Sequence, residues 1–282
     1  MSYLNKASFM LILLASCCAA CSRPHSKAHA AAPVDVQQSA TPQNTVAQAT
    51  SQTPAITPTP ELEVAVGNRL RVVPKVLKMK NERRRYDLNV TYPQIEGSAS
   101  SEISNLNKRI RGLLAEQYDW MLQKPSGSDL RRYNKFPGVL NSINTTYEVT
   151  LATNDLLSIY VESYIYGIGA AHSSHHSFTV NYDLKHGKFL KLPDIFKHGV
   201  SYLQLLSRYC TDDLSKRFGS VEISYDGDTL APKASNYESW NLTVEGLRIN
   251  FDACRVLSCA GGKQAVNIPF DVLKPVLNLH HT

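Results

Sequence analysis

The sequence carries none of the short motifs that mark the common catalytic machineries. Its 282 residues contain no G-x-S-x-G elbow, no Walker loop, no H-E-x-x-H and no four-cysteine zinc pattern. Serine-hydrolase, P-loop and zincin chemistry therefore have no local signature here. Charge is scarce as well: 19% of residues are charged and the formal net charge is +6. Basic residues are nonetheless bunched, at Lys75, Lys78, Lys80, Arg83, Arg84 and Arg85 and again at Arg131, Arg132 and Lys135. Such strips meet anionic glycans, lipid headgroups or acidic proteins, or they protect a solvated strand edge, which is the plainer reading. With 43% hydrophobic residues the chain has enough apolar material for a real core.

Lys6 is followed by the apolar run "FMLILLAS", too short to cross a bilayer and ending in small residues and cysteine, the pattern of an export signal. Leu14-Ala15-Ser16-Cys17 resembles a bacterial lipobox, in which cleavage precedes a cysteine joined to diacylglycerol. The reading is a leader over residues 1–16 with Cys17 as the lipidated first mature residue. Cys21 is the alternative, with Cys18 standing where Leu14 would. The chain is thus expected in a bacterial cell envelope, anchored by lipid without a spanning helix, on the outer membrane facing the periplasm if the source is Gram-negative. Nucleic acid is not an expected partner there. Residues 17–60 are the lipidated cysteine and a linker that from Ser22 to about Pro60 is almost all Ala, Pro, Ser, Thr, Gln and Val, with "TPAITPTPE" at its end. Such a segment cannot bury enough apolar surface to offset its ordering entropy, so a disordered, semi-extended tether of up to ~3 Å per residue is expected.

Beyond residue 60 the pattern alternates between strand and helix periods. "YDLNVTYP" places Tyr86, Leu88, Val90 and Tyr92 at a two-residue period, with Pro93 expected to end the strand. "SASSEISNLNKRIRGLLAEQYDWML" sets Ile103, Leu106, Ile110, Leu113 and Gln117 along one helical face behind a run of serines. "QKPSGSDLRRYNKFPG" reads as a polar loop, and "TTYEVTLAT" with "LLSIYVESYIYG" as a hairpin. A second helix carries Val200, Leu203, Leu206, Cys210 and Leu214 on one side and stops at Gly219. "WNLTVEGLRINF" gives two short strands about Glu245-Gly246, and "KQAVNIPFDVLKPVL" a last strand into a short helix. The sum is an α+β fold of antiparallel strands with a few helices.

Within this pattern Gly169-Ala170-Ala171-His172, Asn181-Tyr182-Asp183, Gly187-Lys188 and Leu192-Pro193-Asp194-Ile195-Phe196 follow in a set order. That order is similar to the PdaC/RsiV-like domains, found in lysozyme-sensing anti-sigma factors and beside the catalytic domain of some peptidoglycan deacetylases. "YDLNVTYPQIEG" and "LTVEGLRINFDACRVLSCAGGKQAVNIPFDVL" extend the resemblance over most of residues 61–282. It implies two small antiparallel-sheet-plus-helix units side by side, residues 61–155 and 156–282, and a role in protein recognition at the cell surface. It also marks Gly169, His172, Asn181, Tyr182, Asp183, Asp194 and Phe196 as structural motif positions. Where relatives carry two tyrosines, this chain carries Cys254 and Cys259, and their joint exchange implies contact. A disulfide closing a short loop, worth roughly 2 kcal/mol, two buried thiols, and a C-x4-C metal half-site all remain open; the disulfide is the first choice. Cys210 reads as core.

The histidines raise the one catalytic alternative. His172, His175 and His176, with Asp183 or Asp194, could form a metal-dependent hydrolase centre acting on peptidoglycan. A turn precedes a strand here, however, and spacing alone does not build a site. The structural reading has His172 satisfying buried backbone groups beside the small residues Gly169, Ala170 and Ala171. Tyr160, Tyr164 and Tyr166 belong to half-buried sheet faces that also suit recognition. The expectation is a non-catalytic envelope lipoprotein with no cofactor, binding a protein, with lysozyme a candidate, or a peptidoglycan ligand.

Overall fold

The alternating stretches pair into a long sheet whose neighbours follow chain order. This is a computed structural model, and it describes residues 63–67, 69–219 and 228–278. The expected leader, Cys17, Cys21 and the tether up to residue 60 lie outside the described residues. Strands β1 (Val64–Val66), β2 (Leu70–Asn81), β3 (Tyr86–Glu96), β4 (Asn141–Ala152), β5 (Leu156–Tyr166), β6 (Ser174–Asp183) and β7 (Lys188–Phe189) lie side by side in that order. Helices α1 (Ser101–Leu122) and α2 (Gly127–Lys135) intervene between β3 and β4. That crossover makes β3–β4 parallel, an exception to the antiparallel expectation, because a strand followed by a long helical return re-enters the sheet in the same direction.

Helix α1 begins where Ser100 accepts a hydrogen bond from the Ile103 amide at 3.3 Å, with Glu102 in the favourable first turn. It buries Ile103, Leu106, Ile110, Leu114 and Met121 against the sheet. Leu114 takes the place expected of Leu113, since steps of three, four and four hold the 3.6-residue stripe that a step to Leu113 leaves. The expected polar loop after it contains α2, started by a capping box in which Ser126 and Asp129 each accept from the other's backbone amide. α2 buries no residue, so it shows no apolar period to read. Pro93 does not end β3 either: it faces Pro74 of β2, beyond the Tyr86–Val90 stretch that pairs with β4. A proline is tolerated where its strand has lost one neighbour.

A second sheet of three antiparallel strands, β8 (Trp240–Leu242), β9 (Gly246–Phe251) and β10 (Gln264–Pro269), packs with α3 (Tyr202–Phe218) and α4 (Phe270–Leu273). Two apolar cores result. One lies between α1 and the long sheet, around Leu88, Ile110, Ile143 and Ile159. The other joins Leu156, Ile195, Leu206, Cys210, Trp240, Ile249 and Ile268. Burial pushes the Cys210 thiol up to about 12, as expected of a core cysteine. Strand β5 is covered on both faces over Leu156–Val161 because a core lies on each side. The boundary expected between residues 155 and 156 falls inside the β4–β5 hairpin, which pairs continuously apart from a bulge near Val149.

The two sheets meet through polar groups. Ser158 donates to Asn181 Oδ1 at 2.6 Å and accepts from Asn241 Nδ2 and the Leu242 amide, both at 3.0 Å. Asn181 Nδ2 donates to the Trp240 carbonyl at 2.8 Å, and Thr150 to the Leu242 carbonyl at 2.7 Å. These buried donors and acceptors find partners across the interface, which sets the second sheet in one register on the first.

Candidate functional site

The β5–β6 turn carries the histidine-rich stretch to one end of the long sheet but does not gather its imidazoles. Gly169 adopts a left-handed backbone, φ 87°, with Phe136 placed 3.0 Å from where a Cβ would stand. His172 is exposed, and its Nδ1 lies 3.0 Å from the Ser173 carbonyl. The expectation that it satisfies buried backbone groups is therefore corrected: the turn is solvated, and the ring bonds its neighbour. His175 and His176 are consecutive in β6 and point to opposite faces. His176 is exposed beside Ser174 Oγ at 3.1 Å. Asp183 stands at the far end of β6, where its carboxylate accepts the His186 amide at 2.9 Å and lies 2.6 Å from His186 Nδ1. The ligand set His172, His175 or His176 with Asp183 is not assembled. Among the described residues no three His, Cys, Asp or Glu side chains are placed to share a metal ion.

His175 is where the chemistry concentrates. Its side chain is 3% exposed, with Nε2 3.2 Å from Glu162 Oε2 and Nδ1 3.3 Å from Asp252 Oδ1. The Asp252 contact is an ion pair off the N–H direction and not an aligned hydrogen bond. Lys263 also pairs with Glu162, the Ser177 hydroxyl donates to Asp252, and the Tyr164 ring meets the imidazole edge-on at 5.1 Å. Burial alone pushes the imidazole down; the Asp252 and Glu162 carboxylates overcome it and raise it to about 9. Burial pushes both carboxyls up, but the facing His175 imidazolium, together with Lys263 at Glu162 and the Ser177 hydroxyl at Asp252, outweighs it, and both are held below the usual carboxylate range. A general base must be free to accept a proton near working pH. An imidazolium locked between two carboxylates is instead a clamp.

The clamp has a definite cargo. Asp252 and Lys263 bracket the loop in which Cys254 and Cys259 form a disulfide, so both ends of that loop are tied to β5 and β6. Val256 and Leu257 in its middle are buried in the second core. Pairing of Tyr164 with His175 across the hairpin could be read from strand register. Asp252 and Lys263 could not, because nothing local links them to residues more than 70 positions earlier.

The remaining motif positions hold local structure. Asn181 joins the sheets as described, and Tyr182 is buried edge-on to Phe189 at 5.0 Å. Asp194 accepts the Lys191 amide at 2.8 Å and so caps the short turn Leu192–Ile195. Phe196 stacks on Tyr202 at 4.4 Å. The bunched cations are mostly engaged: Lys75 with Glu96, Lys80 with Glu82, Arg84 on the Leu122 carbonyl, and Arg85 on the Tyr133 and Val139 carbonyls.

Among the open clefts at the surface of the described residues, three adjoin residues named above. One of about 670 Å³ lies at the start of α1, near Arg69, Glu102, Lys185 and His186. Another, about 360 Å³, is walled by Phe189, Tyr202, Tyr237 and Trp240. The third, about 470 Å³, lies between α1 and the β5–β6 turn and displays Trp120, His172 and His176.

Comparison with known proteins matches two stretches of the chain. Residues 79–175 match the family model described as deacetylase PdaC, and residues 193–271 match DUF3298, a protein family of unknown function. The peptidoglycan-N-acetylmuramic acid deacetylase PdaC of Bacillus subtilis is 30% identical over 141 residues, which is 49% of this chain and 29% of that protein. The chain thus spans less than a third of its relative's length. Crystal structures of DUF3298 proteins from Bacteroides fragilis and Pseudomonas aeruginosa share the fold, each with a TM-score of 0.52, at 17% and 16% identity. They cover 76% and 74% of this chain, and 95% and 94% of their own. The chain accordingly carries a region that matches the PdaC family model followed by one that matches the DUF3298 model, built on one mixed α+β fold.

Proposed function

We propose that this chain is a non-catalytic recognition lipoprotein of the bacterial envelope, anchored through Cys17, whose α+β domain binds a cell-wall ligand. The observation that carries this reading is the inward closure of the charged groups. His175, Glu162, Asp252 and Lys263 satisfy one another between the two sheets, while the open clefts offer aromatic rings and hydrogen-bonding side chains. Surfaces of that kind suit binding. The relative that is 30% identical over 141 residues acts, by its name, on peptidoglycan, which supports a cell-wall ligand ahead of a protein. The tether would hold the domain away from the lipid surface, within reach of the wall.

The test is co-sedimentation of the full chain with purified peptidoglycan, run beside calorimetric titration with a panel of lysozymes. Saturable retention on peptidoglycan supports the reading. One-to-one lysozyme binding without retention would replace the cell-wall ligand with a protein.

A further inference from the structure

We infer that the cleft between the C-terminal half of α1 and the β5–β6 turn is a saccharide site that takes a pyranose of the N-acetylated amino-sugar class. This rests on the cell-wall reading above and gives it a location. The cleft encloses about 470 Å³, within the usual span of small-ligand sites, about 300–1,000 Å³. Its large ring is Trp120, 47% exposed. The indole Nε1–H is already used, donating to the Gln117 carbonyl at 3.0 Å. That bond orients the ring within its own helix before any ligand arrives, so the ring offers apolar surface and not a donor.

Several acceptors stand around the ring. Gln117 Oε1 is buried without a hydrogen-bond partner among the described residues. His172 Nδ1–H donates to the Ser173 carbonyl, which leaves Nε2 as an acceptor. His176 uses Nε2 on Ser174 Oγ and leaves Nδ1 open. The Glu116 carboxylate is 3.9 Å from Arg109, beyond hydrogen-bond length. An apolar plate edged by acceptors calls for a ligand with an apolar face and donors on its rim. A pyranose supplies a C–H face and a rim of hydroxyls, and an N-acetyl group adds an amide N–H. Phosphate or carboxylate ligands would meet Glu116 and bring no donors to these acceptors. All of these side chains except His176 lie within residues 79–175, the stretch that matches the PdaC family model.

The test titrates the full chain with chitotetraose, a soluble β-1,4-linked oligomer of N-acetylglucosamine, by calorimetry, and repeats the sedimentation on peptidoglycan. Trp120→Ala is expected to weaken chitotetraose binding at least about 10-fold, and His172→Ala, at an exposed turn, about 3- to 10-fold. Trp120→Phe, which keeps a smaller ring, is expected to fall between. Circular dichroism checks that each variant is folded. Undiminished retention of Trp120→Ala on peptidoglycan would overturn the site and leave the cell-wall reading in place. Failure of the unaltered chain to bind either glycan would overturn both.

Discussion

Replacing His175 by glutamine removes the imidazolium and keeps a polar side chain of similar length between Glu162 and Asp252. The rise of the imidazole from its ordinary 6.5 to about 9 corresponds to about 3 kcal/mol of stabilisation, since the charged ring is favoured in the folded chain over the unfolded one. The side chain is 3% exposed, so solvent screening takes little from that figure. The sign follows from the direction of the shift. A folded value above the unfolded one stabilises fully below about pH 6.5, and the contribution is lost as pH rises through about 9. The depressed Glu162 and Asp252 carboxyls act oppositely: their contribution is present above the ordinary carboxylate range and is lost as pH falls through their folded values. Urea unfolding of the full chain and of His175→Gln across this range gives the difference directly. It is expected to shrink by about 3 kcal/mol between about pH 6 and about pH 9.5. A difference that stays constant with pH would refute the clamp, whatever its size.

Leu114→Ala is expected to cost about 3 kcal/mol and Leu113→Ala about 1 kcal/mol, because Leu114 is fully buried and Leu113 only half so; equal losses by urea unfolding would contradict the helix register. Gly169→Ala must strain a left-handed backbone and crowd the Phe136 ring, with an expected cost of about 1–2 kcal/mol seen as a lower unfolding temperature. Replacing Cys254 and Cys259 together by serine should lower stability by about 2 kcal/mol through loss of the short covalent loop, while Val256 and Leu257 keep the segment docked; an unchanged unfolding midpoint would count against that.

Much of the fold was legible because its elements carry a period. The alternation of Tyr86, Leu88 and Val90, the stripe of Ile103, Leu106 and Ile110, and the Glu245-Gly246 turn all read directly as the strands and helices observed. What failed to read had no period or depended on distant neighbours. α2 rests on a cap and exposed polar residues, and Pro93 is tolerated only because β4 has already left its side. The candidate site divides in the same way. Its motif positions were visible, yet His172, the histidine shared with the resembled family, is exposed at a turn. His175 draws its importance from Asp252, just past the end of β9, and Lys263 beyond the disulfide. Trp120 stands in the last turn of α1, but only the fold shows it facing His172 and His176 across a cleft.

The measurement that bears most directly on the central claim is a binding isotherm of the full chain on purified peptidoglycan, with acetate release and glycan cleavage followed in the same samples. The account predicts saturable retention and no chemical change in the polymer. Turnover of the polymer, or no retention at any protein concentration, would contradict it.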